Sequence, residues 1–196
     1  MNFDLWRHYA RARLFQACNK DQQAAEEYRL ALRHDPQFAR AASSLAFLCS
    51  KQGRFDEARQ WFNEAVRIKP DDAVSHYNLG FLLDKTGHRE EAVAAFRAAA
   101  RLKPKFDQAW YGLGLSLAAL GRHEEAVAAF QEASLLNPMN AHAWYCLGMA
   151  HHHARDPDKV KEVIEHLFRF DPVMTRQLIR DAERSDLAHM VKDLLV

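Results

Sequence analysis

Five of the six prolines, Pro36, Pro70, Pro104, Pro138 and Pro172, are separated by a constant 34 residues. A core built once from unrelated elements has no need of such a step, whereas a chain assembled from one repeated unit shows it throughout. Shifting the sequence by the same interval aligns further columns: Leu45, Leu79, Leu113 and Leu147; Ala46, Gly80, Gly114 and Gly148; Gly53, Gly87 and Gly121. Ala24, Ala58, Ala92 and Ala126 align as well, as do Tyr28, Phe62, Phe96 and Phe130, and Ala31, Ala65, Ala99 and Ala133. The segment Glu-Glu-Ala-Val-Ala-Ala-Phe recurs unchanged at 90–96 and 124–130. Repetition at this period restricts the chain to arrays in which each unit buries its apolar face against the next.

Within one unit, Trp110, Leu113, Gly114 and Leu117 precede Gly121 at helical spacing, and Ala126, Phe130 and Ala133 follow it in the same way. Each unit therefore reads as a helix, a tight turn and a second helix. The dividing glycine is suited to the left-handed conformation that ends the first helix, and the proline before the next unit ends the second. Acids open the second helices (Asp56 and Glu57, Glu90 and Glu91, Glu124 and Glu125) and bases close them (Arg67 and Lys69, Arg101 and Lys103), as the helix dipole favours. Glycine or alanine facing alanine lets two helix axes approach closely, with Trp, Leu and Phe filling the remaining gaps.

Trp-Tyr-x-Leu-Gly at 110–114 and 144–148, together with the Gly, Ala, Phe, Ala and Pro columns, resembles the tetratricopeptide repeat from about Leu5 to Met174. The resemblance implies an all-α fold, a right-handed superhelix of stacked antiparallel helix pairs. Five repeats are expected, at about 5–38, 39–72, 73–106, 107–140 and 141–174, followed by a capping helix or helix pair over 175–196. In that cap Leu178, Ile179, Ala182, Leu187, Met190, Val191 and Leu194 are expected on the inward side. The outer units depart from the pattern. Arg11 replaces the Leu column and Asn19 the Gly column in the first. In the fifth, Arg155 replaces Gly, and Val160, Ile164 and Leu167 replace Ala, Phe and Ala. Asp156-Pro157 predicts a fresh helix start there, a capping acid followed by proline in the first helical position.

Lys and Arg number 27 against 26 Asp and Glu, a net charge of +1, so no bulk field points to nucleic acid or an anionic membrane. A local basic cluster, Arg89, Arg97, Arg101, Lys103 and Lys105 with Phe106, does not change that balance. Three cysteines at unpaired spacing give no disulfide framework, and Arg7, Arg11 and Arg13 interrupt anything resembling an export signal, so a cytoplasmic location is expected. No catalytic motif is present: no phosphate loop, nucleophile elbow or His-Glu-x-x-His. An enzyme is not expected, and neither is a cofactor. His142, Cys146, Met149 and His153 share one helical face that could hold a soft metal, but polar rim or capping contacts explain them more simply, and no metal is expected.

On each first helix a second face, centred on Tyr111, Leu115 and Ala118, lies roughly 120° from the packing stripe. The resemblance implies that this face lines a ligand groove. Its columns are Tyr9, Ser43, Tyr77, Tyr111 and Tyr145, then Arg13, Phe47, Phe81, Leu115 and Met149. A contiguous apolar strip at the surface marks a binding site, although the tyrosines also suit packing between neighbouring first helices. The candidate peptide-binding residues are Tyr9, Arg13, Arg40, Phe47, Tyr77, Phe81, Lys85, Tyr111, Leu115, Tyr145 and Met149. A non-catalytic adaptor is expected, taking an apolar or amphipathic segment of a partner protein, with no nucleic acid and no membrane insertion. Self-assembly into a homo-oligomer through the terminal repeats is the alternative. Related domains that clamp the Glu-Glu-Val-Asp tails of chaperones need Lys, Asn and Arg in these columns. Here only Arg13, Arg40, Lys51 and Lys85 supply positive groove charge.

Overall fold

The computed structural model describes residues 3–194, with side chains through Val191. The described residues are helical with no strand, and they fall into two compact units, Met1–Leu102 and Lys103–Val196. The first holds α1 (Phe3–Ala17), α2 (Asp21–His34), α3 (Ala39–Lys51), α4 (Phe55–Ile68), α5 (Ala73–Lys85) and α6 (Arg89–Leu102). The second holds α7 (Asp107–Ala119), α8 (His123–Leu136), α9 (Ala141–His153), α10 (Pro157–Phe168) and α11 (Pro172–Asp181), then a 3₁₀ segment at Ser185–Leu194. Within each unit successive helices pair as hairpins, α1 with α2, α3 with α4 and α5 with α6, then α7 with α8 and α9 with α10.

The turn inside every hairpin depends on one residue with positive φ. Gly53 (77°), Gly87 (83°) and Gly121 (75°) supply it without a Cβ penalty. Asn19 (55°) and Arg155 (60°) take the same conformation where glycine is missing from the column, Arg155 at a cost of about 1 kcal/mol or more. The small columns act through space instead. A Cβ on Gly114 would stand 2.6 Å from the Phe130 ring, and one on Gly80 would stand 2.9 Å from Phe96, so in α5–α6 and α7–α8 the second helix seats its phenyl ring directly on the first. Burying such a ring is worth about 1.5–3 kcal/mol. The proline column is tied to the following helix as well. Trp110 Nε1 donates to the Pro104 carbonyl and Trp144 Nε1 to that of Pro138, both at 2.9 Å, and His76 Nε2 makes the equivalent 2.9 Å bond to Pro70.

Along the second helices of the first unit, Arg29 donates to Glu57 at 2.7 Å and Arg59 to Glu91 at 2.6 Å, linking α2 to α4 and α4 to α6. The Arg29 bond holds the Glu57 carboxyl below its ordinary range against the opposing effect of burial. At α1 the missing Leu column is replaced by polar chemistry: the buried Glu27 accepts from His8 Nδ1 at 2.6 Å and pairs with Arg11 at 2.9 Å. Paired in this way, a buried carboxylate is tolerated where apolar packing is absent.

At the carboxyl-terminal end two helices open on a capping acid followed by proline. Helix α10 starts at Pro157 with Asp156 accepting from the Lys159 amide, as the dipeptide predicts. The same device recurs at Asp171-Pro172. Asp171 accepts from the Met174 amide at 2.8 Å, so Pro172 opens α11 instead of closing the preceding helix, and α11 begins within the span expected for the fifth repeat. The last segment is 3₁₀, not a regular α-helix. Leu178, Ile179, Ala182, Leu187 and Val191 are buried as expected and Met190 is half-buried, while the Leu194 side chain lies outside the described residues.

Candidate functional site

In the first unit, α1, α3 and the start of α5 enclose an open recess of about 600 Å³. Helix α1 supplies Tyr9, Arg13 and Gln16; α3 supplies Arg40, Ser43, Ser44 and Phe47; the approach to α5 and its first turns supply Lys69, Asp72, Val74, Ser75 and Asn78. One wall is stiffened by aromatic packing. Tyr9 stands edge-on to Phe38 at 4.9 Å and against Tyr28 at 5.8 Å, and Trp6 meets Phe38 at 5.4 Å. The Tyr28 hydroxyl donates to Gln16 Oε1 at 2.9 Å, which orients the amide nitrogen of Gln16 as the group left to donate.

A short relay crosses the recess. The Ser75 hydroxyl donates to Asp72 at 2.6 Å and the Ser75 amide donates to the same carboxylate oxygen at 3.0 Å, making Asp72 the cap of α5. Having given its only proton to Asp72, Ser75 is the acceptor in its 3.2 Å contact with Ser43, and Ser43 is the donor. Asp72 thus spends its charge on the positive end of a helix and on Ser75. Among the described residues Arg13, Arg40 and Lys69 make no ion pair, although Lys51 pairs with Asp21 at 2.7 Å.

Of the candidate groove residues, Tyr9, Arg13, Arg40 and Phe47 line this recess, and Phe47 keeps 51% of its surface exposed. Tyr77 is half-buried against Phe96 at 5.8 Å, Phe81 is 56% exposed outside the recess, and the Lys85 ammonium sits 5.1 Å above the Phe55 ring. In the second unit Leu115 is 39% exposed and Met149 is half-buried. The two tyrosines there are engaged: Tyr111 lies against Phe130 at 5.9 Å with its hydroxyl 3.7 Å from Cys146 Sγ, and the Tyr145 hydroxyl donates to Asp181 at 2.9 Å. Burial pushes both phenols up from their ordinary pKa, and the Asp181 bond adds to the effect at Tyr145. Tyr9, Tyr77 and Tyr111 each pack on the aromatic residue of their own second helix, so the tyrosine column serves the hairpins first.

Lys69, Gln16, Asp72 and Ser75 were not among the sequence candidates, whereas Ser43 stood in the groove column without a role assigned to it. Lys69 reads in the sequence as a base closing α4, and only folding carries it to the recess.

The histidine-rich face does not converge. Cys146 is directed to Tyr111, the His153 ring stacks on His123 at 4.8 Å, and among the described residues no group of three or more His, Cys, Asp and Glu is placed to hold a metal ion. Burial raises the thiol pKa of both Cys49 and Cys146, which disfavours the thiolate a nucleophile needs. Among the described residues no helix is long and apolar enough to cross a membrane.

Paired helices with left-handed turns and small residues under the aromatic rings of the second helices define an α-helical repeat protein. A tetratricopeptide repeat model matches residues 77–134 and 120–159, and a TPR repeat model matches 48–87. The matches together span 48–159, more than half of the chain, and the chain belongs to the tetratricopeptide repeat family. Among solved structures it is similar to YrrB, described as a TPR protein with an unusual peptide-binding site, at 23% identity over 90% of each chain with a TM-score of 0.78. It is also similar to MamA, at 18% identity over 95% of this chain and 98% of that one with a TM-score of 0.78. Pseudomonas aeruginosa pilF matches at 18% identity over 98% of this chain and 90% of that one, with a TM-score of 0.75. At these identities the likeness is one of fold. No curated protein matches the chain.

Proposed function

We propose that this chain is a non-catalytic protein-binding scaffold of five tetratricopeptide repeats, at the boundaries expected from the sequence, that takes a peptide segment or amphipathic helix of a partner on its first-helix face. The observation that carries the reading is the exposure of Phe47, Phe81 and Leu115 at a constant 34-residue step, on helices whose other faces are buried. Exposed large apolar side chains repeated in register are costly to keep unless something covers them. The recess beside Phe47 supplies depth and polar groups that orient a guest. The peptide-binding site described for YrrB, on the same fold, supports the reading without specifying the guest.

The test selects displayed random dodecapeptides on the full chain and compares it with Phe81→Asp combined with Leu115→Asp. The double variant is expected to lose capture while retaining its helical circular dichroism and cooperative melting. Joint loss of capture and folding would place these side chains in the core, and unchanged capture would remove the groove.

Self-association is a second reading, favoured by α1, where Phe3 (74%) and Leu14 (64%) are strongly exposed. Solenoid ends normally carry a polar outer face. Light scattering decides: a mass independent of concentration and equal to one chain rejects this reading.

A further inference from the structure

We infer that the recess of the first unit binds an acidic residue, Asp or Glu, of a peptide whose neighbouring apolar side chain rests on Phe47. The inference rests on the peptide-binding reading above and specifies its guest. Three cations from three successive layers line the recess: Arg13 on α1, Arg40 on α3 and Lys69 ahead of α5. None of them is ion-paired among the described residues, whereas the neighbouring bases Arg11, Arg29 and Lys51 pair with Glu27, Glu57 and Asp21. The single carboxylate in the lining, Asp72, already accepts two bonds from Ser75 and caps α5.

Another polar group points the same way. Gln16 has its oxygen occupied by Tyr28, which leaves its amide nitrogen to donate. What remains for a guest is mainly donors and positive charge, the complement of a carboxylate. Phe47 and Val74, both exposed at the margin, add an apolar contact beside that charge. This arrangement differs from a two-carboxylate tail clamp, because the column that would carry Asn or Lys holds Tyr9, Ser43 and Tyr77. It accommodates one acidic group within an otherwise apolar segment.

The experiment selects displayed random dodecapeptides on the wild-type chain and on Arg13→Glu combined with Arg40→Glu, with circular dichroism and thermal melting confirming that these exposed positions leave the fold intact. Wild type is expected to enrich sequences with Asp or Glu beside Leu, Ile, Phe or Met, and the charge-reversed chain is expected to lose that preference. For the best wild-type peptide, measured by fluorescence anisotropy, changing its acidic residue to the amide should weaken binding about tenfold. The milder Arg13→Gln with Arg40→Gln should do the same, and added salt should weaken wild type more than that variant. Enriched peptides without acidic preference, bound equally by the glutamine variant, would overturn this inference and leave the groove reading standing. No enrichment on any form of the chain would remove both.

Discussion

The hairpins α7–α8 and α9–α10 begin with nearly the same first helix, yet they fill the space over its glycine in different ways. In the former, Phe130 of the hairpin's own second helix lies 2.6 Å from where a Cβ on Gly114 would stand. In the latter, Leu178 of α11 stands 2.6 Å from the corresponding point on Gly148, and the second helix buries Val160, Ile164 and Leu167 instead. The Tyr145–Asp181 bond fastens α11 to α9 in the same place. The contrast lies in the source of the filler: α9 takes it from a third helix, α11, and α7 takes it from the second helix of its own hairpin.

The largest test of this contrast removes the two fillers. Phe130→Ala should cost about 3–5 kcal/mol and Leu178→Ala about 2–5 kcal/mol in urea unfolding. Hydrogen exchange should show the Leu178 variant losing protection in α9 and α11 while α7 and α8 keep theirs. Loss spread evenly over both hairpins would mean that the last layer is not separately filled.

A smaller effect is expected from adding one carbon beneath each filler. Gly114→Ala presses on a rigid ring and should destabilise by about 1–3 kcal/mol. Gly148→Ala presses on leucine methyls that can change rotamer, so its cost in the same assay should be lower. Equal costs would show that α11 is held as rigidly as α8.

The turns differ too. Arg155→Gly relieves a left-handed arginine and should stabilise by about 1 kcal/mol, whereas Gly121→Ala should cost a similar amount, both read from urea midpoints.

The smallest expected effect is one of pH. Burial lowers the pKa of His151, with Asp156 opposing it and Lys159 reinforcing it. Burial also lowers the pKa of His153, with His123 and His152 adding to the shift. A histidine held below its ordinary value of 6.5 stabilises the fold while neutral. That stability is present above pH 6.5 and is lost as the pH falls through the folded-state value. Urea midpoints should therefore drop on acidification, and His123→Gln should flatten the drop by removing one like charge beside His153.

Much of the architecture was legible in the residues. Gly53, Gly87 and Gly121 marked the left-handed turns, Asp156-Pro157 marked a helix start, and the columns of small residues marked close helix contacts. The matching signal at Asp171-Pro172 was hidden because Pro172 also completes the 34-residue period, and a period cannot distinguish a proline that closes one helix from a proline that opens the next. The candidate site was legible only in part. Helical phase placed Phe47, Phe81 and Leu115 away from the packing stripe, and they are exposed. The same phase grouped the tyrosines with them, although Tyr9, Tyr77 and Tyr111 lean back onto Tyr28, Phe96 and Phe130.

From sequence alone came the helix pairs, their turns and the apolar columns, because period, φ preference and side-chain volume are local properties that every repeat states again. Which cations remain unpaired was settled by tertiary structure. Lys51 finds Asp21 and Arg11 finds Glu27, while Arg13, Arg40 and Lys69 arrive around one recess whose single carboxylate, Asp72, is turned to Ser75 and the start of α5 and pairs with none of them. Charge neutralisation depends on distances of a few ångströms between residues far apart in the chain, and a repeat period carries no record of those distances.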